Sequence, residues 1–303
     1  NLDIYLPIAE TSQNLFFLLI IGFLAGILSG MFGVGGGFLT TPILIVSGIP
    51  PAVAVGSEAN HIVGSSLTGF LTYFRRKYVD MRMGSIMISG GALGSILGVY
   101  LFKYLSLIGR LEEVIAVAYI FFLGVLGIYM LYESLKTKKN KALGNLMKLH
   151  DHGWFHGLPL RIKFRRSKLY ISVIPPFVIS FFIGILASIL GVGGGFILVP
   201  AMIYILGMST QVVIGTSLMQ VLFVSIVSTI MHAHVNQTVD VILSGFLLFG
   251  GVFGVNAGAF LVQKISGEVI RMMLGILIFS LCIFLFSKLL VNPNLIYVLE
   301  FIR

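Results

Sequence analysis

Charge is what this chain has least of. Only 10% of its 303 residues are Asp, Glu, Lys or Arg, where a soluble domain carries about a quarter. So few charges cannot cover a water-facing surface, which excludes an ordinary soluble protein. Cysteine is nearly missing too. The single Cys282 lies in an apolar run, which leaves no disulfide framework and no cysteine-based metal site. Short alternating segments are absent from runs such as Leu15 to Met31 and Val239 to Val262, so a membrane β-barrel is excluded. No nucleophile elbow, His-Glu-x-x-His pair, Walker pattern or pair of acids occurs in the apolar runs, which argues against an enzyme and against a self-contained ATP-driven pump. No cofactor is expected, and no cleavable signal sequence is evident.

What is present is hydrophobic. Such residues make up 57% of the chain and the mean hydropathy is +1.04. Apolar runs of about 20 residues are long enough to span a bilayer as helices. The expected fold class is therefore all-α, a polytopic transmembrane helical bundle. The net charge of +9 does not point to nucleic acid, because half of the Lys and Arg fall between Lys136 and Lys168, in a loop between apolar runs. That is how a cytoplasmic loop of a membrane protein looks. Apolar segments are expected at 14–33, 37–48, 52–73, 83–106 and 112–134, then at 169–190, 195–207, 210–232, 238–263 and 267–290.

Five segments on each side of a basic linker suggest a repeat, and the residues carry one. Phe32-Gly33-Val34-Gly35-Gly36-Gly37-Phe38, before Pro42, returns as Leu190-Gly191-Val192-Gly193-Gly194-Gly195-Phe196, before Pro200. Val53-Ala54-Val55-Gly56-Ser57 matches Val212-Val213-Ile214-Gly215-Thr216, and Val79-Asp80 matches Val239-Asp240. The chain divides into a first transmembrane repeat over 1–135, a basic cytoplasmic linker over 136–168 and a second repeat over 169–303. Arg75, Arg76, Lys77 and Arg82 mark one turn as inside, and the 136–168 linker also falls inside. The piece with Asp3 and Glu10, and the base-poor turn from His232 to Asp240, fall outside. An odd number of crossings per repeat makes the second copy enter from the opposite face. Two such copies form an inverted repeat, an architecture of secondary transporters.

Within each repeat the glycines single out one place. Gly90, Gly91, Gly94 and Gly98 are suited to close helix packing. Three glycines in succession would cost about 3 kcal/mol inside a helix relative to alanine, and each triplet precedes a segment too short to cross upright. Gly35, Gly36, Gly37 and Gly193, Gly194, Gly195 are therefore expected to be unwound breaks, whose following half-helices offer backbone N–H groups to an anion. Glu58 and His61 are the only acidic or basic side chains between Leu15 and Phe74. Their spacing allows a pair on one helical face, either at membrane depth, where they are candidates for proton coupling, or solvated at the interface. Ser57, Asn60 and His61, with Thr216, Ser217 and Gln220 at the matching stretch, are candidate side-chain donors to the same anion. His150, Asp151, His152 and His156 have no further ligand to complete a metal site and are expected to be a solvated loop, with Trp154 at the headgroups and the linker bases meeting anionic lipid. His232 and His234 are likewise expected to be solvated.

The two copies of Gly-x-Gly-Gly-Gly-Phe followed by proline, with Val55-Gly56-Ser57 through Asn60, resemble the TauE/SafE sulfite exporter family (TSUP transporters). The likeness covers nearly all of the chain outside the 136–168 linker. It implies a carrier in the bacterial inner membrane that moves sulfite, sulfoacetate or another organosulfonate. The anion follows from the residues, whereas sulfur follows from the resemblance alone. The expected function is thus a secondary transporter of a small sulfur-containing anion, working in the outward direction. An anion channel of the same architecture is the alternative.

Overall fold

The computed structural model describes residues 3–142, 159–167 and 169–291. Among them are ten α-helices and two small antiparallel hairpins. Hairpin β1 (Asp3–Leu6) and β2 (Thr11–Asn14) leads into α1 (Leu15–Phe32), which Asn14 caps by accepting from the N–H groups of Phe16 and Phe17. Helix α1 stops at Gly33, and a separate helix α2 (Gly37–Val46) starts after it. Pro51 opens the long α3 (Pro51–Arg75), where its missing N–H is no loss. Then come α4 (Met81–Leu107) and α5 (Leu111–Ala142). The second half repeats the order: β3 (Arg161–Phe164), β4 (Leu169–Ser172), α6 (Ile174–Leu190), α7 (Gly195–Tyr204), α8 (Thr210–Met231), α9 (Val241–Leu261) and α10 (Gly267–Val291).

Two expected boundaries move. The segment expected over 112–134 continues as α5 to Ala142, into the stretch expected to be linker. The segment expected from residue 169 begins as strand β4, paired Phe164 to Leu169 through Arg161 to Ser172. The helix starts only at Ile174, where Pro175 and Pro176 fit its first turn. Hydrophobicity is continuous across 169–190, so it does not separate a strand from the helix that follows.

Six helices among the described residues (α1, α4, α5, α8, α9 and α10) are long and apolar enough to cross a membrane. Outward-facing Phe121, Val125, Ile128, Ile276 and Ile283 are exposed, as suits a lipid-facing surface. The helices approach closely through glycine. A Cβ at Gly22, Gly26 or Gly30 of α1 would come within 2.3 Å of a backbone oxygen of α9, and one at Gly94 of α4 would come 1.9 Å from Phe181 O of α6. These pairs, α1 with α9 and α4 with α6, flank α3 and α8, which pack on each other, while α5 packs on α10. Without a hydrophobic drive between helices in lipid, backbone approach of this kind is what holds them.

The two hairpins fasten to matching points. Asp240 caps α9 through Oδ1, which accepts from Ile242 and Leu243, and its Oδ2 accepts from Ile8 N in the β1–β2 turn at 3.0 Å. Asp80 caps α4 through Oδ1, accepting from Met83, and its Oδ2 accepts from Ser167 N and Oγ in the β3–β4 turn at 2.9 and 2.8 Å. Each aspartate also donates its own N–H across the molecule, Asp240 to Ser57 Oγ at 2.8 Å and Asp80 to Thr216 Oγ1 at 3.0 Å. Helix α2 doubles back to the β1–β2 end, where Gln13 Nε2 donates to Ser47 O at 3.1 Å. The chain start and the 232–240 turn thus share one end of the bundle. The 75–82 turn and the β3–β4 hairpin share another contact region, with Arg82 reaching Lys163 O.

Replacing Asp80 or Asp240 by alanine removes a helix cap and a hairpin anchor together. Each variant should lose about 3 kcal/mol, read as a lower thermal midpoint in detergent, and wild-type stability would rule the anchors out. With Cys282 replaced by serine, a cysteine at Tyr78 should react with an impermeant thiol reagent only from the cytoplasmic side, and one at His234 only from the outside. Labelling from the same side would overturn the charge-based topology.

Candidate functional site

The interruption between α1 and α2 has a physical origin in Gly36. It stands at φ 81° as the residue before α2, and Gly194 takes the same place before α7 at φ 74°. A residue with a Cβ is strained there. The two breaks lie against each other. A Cβ at Gly37 would fall 2.8 Å from Gly191 O, and one at Gly195 would fall 2.3 Å from Val34 O. Phe38 and Phe196, which follow the two triplets, stack with ring centroids 6.2 Å apart. Helices α2 and α7 therefore start close together, and the first N–H groups of a helix lack intrahelical acceptors.

Hydroxyl groups hold the carbonyls at these corners. Ser217 Oγ donates to Gly33 O at 2.8 Å, Thr41 Oγ1 to Gly191 O at 3.2 Å and Tyr119 OH to Leu190 O at 2.8 Å. Ile62 and Val221, each five residues after Ser57 or Thr216, fill the space beside Gly35 and Gly193. Their methyl carbons stand 2.9–3.3 Å from the place a Cβ would take at either glycine. Ser66 Oγ lies 3.8 Å from that place at Gly35. Ser66 and Ser225, four residues beyond Ile62 and Val221, are buried and their hydroxyls have no hydrogen-bond partner among the described residues. Sequence reasoning passed over both serines. The signal available was a hydroxyl one helical turn beyond Ile62 and Val221 in otherwise apolar stretches.

Glu58 and His61 are both fully buried, not solvated at an interface. His61 Nδ1 and Glu58 Oε1 are 2.7 Å apart, and Thr40 Oγ1 of α2 donates to the same oxygen at 2.7 Å. Glu58 Oε2 and His61 Nε2 have no partner among the described residues. The imidazole lies on α9, where a Cβ at Gly251 would reach 2.4 Å from Nε2. Gln220 occupies the matching place on α4, where a Cβ at Gly91 would reach 2.7 Å from its Nε2, and that nitrogen donates to Ser180 Oγ at 3.1 Å. Ser57 and Thr216 meet the starts of α9 and α4 as described, and Asn60 is half-buried on α3. The expected residues thus fall into two groups. The glycines, Ser217, Glu58 and His61 gather about the two breaks or reach them through Thr40, whereas Ser57, Thr216 and Gln220 engage the flanking helices.

The His232–His234 pair is corrected. His234 is exposed, but His232 is fully buried. Helix α8 continues past Met231 as a π-helical turn over His232–Asn236, which carries the ring into the bundle. Its Nε2 lies 2.9 Å from Ser188 O, Asn236 Nδ2 lies 3.0 Å from its Nδ1, and Phe102 meets it edge to face. Tyr73 of α3 holds the matching carbonyl of α1, donating to Gly30 O at 2.8 Å. His150, Asp151, His152, Trp154 and His156 lie outside the described residues.

A bundle of apolar helices interrupted twice at a shared, polar-lined contact defines a multi-pass membrane protein of the transporter class. The family model for the sulfite exporter TauE/SafE matches residues 18–285, and the chain belongs to this family. Among curated proteins it is similar to two named probable membrane transporter proteins of Bacillus subtilis (strain 168). YunE is 25% identical over 272 residues, covering 86% of this chain and 93% of that protein. YjnA is 25% identical over 262 residues, covering 86% and 95%. A probable membrane transporter protein of Xylella fastidiosa (strain 9a5c) is 26% identical over 278 residues, covering 90% and 95%. No solved structure gives a significant match to the chain.

Gly195→Ala would drive a methyl group into Val34 O, so the two breaks must part. It should lower the thermal midpoint by several degrees, a loss of about 2 kcal/mol, whereas Gly245→Ala, with nothing within 4 Å of the new carbon, should not. Equal midpoints for the two variants would contradict the contact between breaks.

Proposed function

We propose that this protein is a secondary transporter of a small sulfur-containing anion, sulfite or an organosulfonate, held between the two glycine breaks in a bacterial inner membrane. The observation that carries this reading is the meeting of two helix starts, α2 and α7, at a contact with no acidic side chain other than Glu58 among the described residues. Each start offers unpaired N–H groups and the positive end of a helix dipole. Two such ends favour a single anion without a buried arginine. Sulfur as the central atom comes from the family, whose description names sulfite export.

In this proposal Gly35, Gly36, Gly37, Gly193, Gly194 and Gly195 supply backbone donors. Ser57, Asn60, His61, Thr216, Ser217 and Gln220 supply side-chain donors. Ser57 and Thr216 accept bonds from Asp240 and Asp80, so each still has its own hydroxyl hydrogen to give. Their exchange of partners between helix start and substrate would open one end of the bundle. The two halves, 1–135 and 169–303, act as inverted repeats, so the same movement in each opens opposite faces. The matching contacts of Asp80 and Asp240, and of Tyr73 and His232, support this. Glu58 and His61 carry the coupled proton, because they form an ionisable pair buried among apolar helices, with Nδ1 of His61 2.7 Å from Oε1 of Glu58. The basic linker meets anionic lipid.

In proteoliposomes, wild-type protein should accumulate sulfite or sulfoacetate in a saturable manner driven by a proton gradient. Gly36→Leu and Gly194→Leu should abolish binding while the protein is still produced. Glu58→Gln and His61→Ala should each remove the dependence of transport on the proton gradient. Pumping that persists in both variants would overturn the proton assignment, and flux that never saturates would make the protein an anion channel.

A further inference from the structure

The Glu58–His61 pair reaches the first glycine break through one side chain. Thr40 sits in the first turns of α2, fully buried. Its Oγ1 lies 2.7 Å from Glu58 Oε1 and 3.0 Å from Gly36 O. A threonine hydroxyl has one hydrogen, so it can donate to one of these acceptors at a time. We propose that Thr40 is a positioning residue that carries the charge state of the Glu58–His61 pair to the Gly36 corner of the substrate site. This inference rests on the transport reading above and deepens it by naming how the proton acts on the anion.

The choice of acceptor follows from charge. Ionised Glu58 offers Oε1 as a carboxylate oxygen, and a hydrogen bond to an ionised acceptor is about twice as strong as a neutral one. Thr40 then donates to Glu58, alongside His61 Nδ1. With a proton on Oε2, which has no partner among the described residues, Oε1 becomes an ordinary neutral acceptor. Gly36 O, one turn back from Thr40, then competes for the threonine hydrogen without a charged rival. Gly36 O already accepts from Leu39 N at 3.1 Å and Thr40 N at 3.5 Å. The start of α2 is therefore bonded differently in the two charge states. Loss of the proton reverses every step.

Few other charges bear on this pair. Helices α1, α2, α6, α8 and α9 have no acidic or basic side chain within their spans. Tyr119 of α5 faces the same region through Leu190 O, and Asp240, at the start of α9, touches Ser57 through its N–H. The second half lacks the device. Ser217 and Gln220 stand where Glu58 and His61 stand in the first, and Leu198 follows Gly194 at the spacing of Thr40 from Gly36. The switch therefore works on one break only.

The test compares Thr40→Val, which keeps the shape and removes the hydroxyl, with Thr40→Ser, which keeps the hydroxyl. Two measurements are made on the detergent-solubilised protein at about pH 5 and about pH 8. One is amide exchange at Leu39 and Thr40 without any anion, corrected for intrinsic rates. The other is the Kd for methanesulfonate, whose charge is constant over this range. Wild type and Thr40→Ser should change protection by about fivefold to tenfold between the two conditions, and Kd by a similar factor. Thr40→Val should change both by less than about twofold. Wild-type exchange that ignores pH, Thr40→Val that keeps the full response, or Thr40→Ser that loses it would each overturn the relay. Hydroxyl-dependent exchange in a protein that binds no methanesulfonate at either pH would support the relay and overturn the transport reading instead.

Discussion

A backbone N–H or C=O left bare in a bilayer is tolerated only where protein covers it. This chain breaks two helices at such a place, and the breaks cover each other. Val34 O lies against Gly195, and Gly191 O lies against Gly37 while accepting from Thr41. Each break draws a hydrogen-bond partner from the other half, Gly33 O from Ser217 and Gly191 O from Thr41. Removal of one would expose the other, so the two halves of the chain are committed to each other before any substrate is considered.

That constraint spreads outward. To hold two short helices, α2 and α7, in register, the long helices must come very near, and glycines on α1, α4 and α9 permit it. The polar side chains of α3 and α8 then lie in the middle instead of facing lipid, which explains why α3, with Ser57, Glu58, His61, Ser65 and Ser66 buried on it, is absent from the six apolar candidate spans. A pair such as Glu58 and His61 is expensive to bury, and breaking it is costlier still, about 3–5 kcal/mol. In the proposed mechanism the pair serves transport beside a helix start, and Thr40 is its contact with that start.

The aspartates at the ends close the arrangement. Each one caps a helix, anchors a hairpin from the chain segment that precedes a half, and touches the opposite half through Ser57 or Thr216. A group that joins three elements at one end of a bundle is well placed to release them together. In the proposed transport cycle, alternation between two ends would need such a joint at each, and matching residues would supply both.

Much of this was legible before any coordinates. Triple glycines read as breaks because no helix holds three of them cheaply, and Glu58 with His61 read as a pair because residues three apart share a helical face. The helix spans followed from hydropathy to within a few residues, apart from 169–172, where strand and helix are equally apolar, and from the end of α5, which runs on to Ala142 through polar residues. Other features depend on contacts between residues far apart in the chain. Thr40 is an unremarked hydroxyl in the sequence, and it matters only because folding sets it between Glu58 and Gly36. His232 looked like a solvated turn residue until a π-helical turn carried it inside. Sequence by itself determined the class of protein, the place of each break and the residue types available there, since these rest on local periodicity and composition. Tertiary structure alone decided that the two breaks touch, that the hairpins dock on Asp80 and Asp240, and which hydroxyl meets which oxygen, since those contacts join different elements of the chain and leave no local pattern.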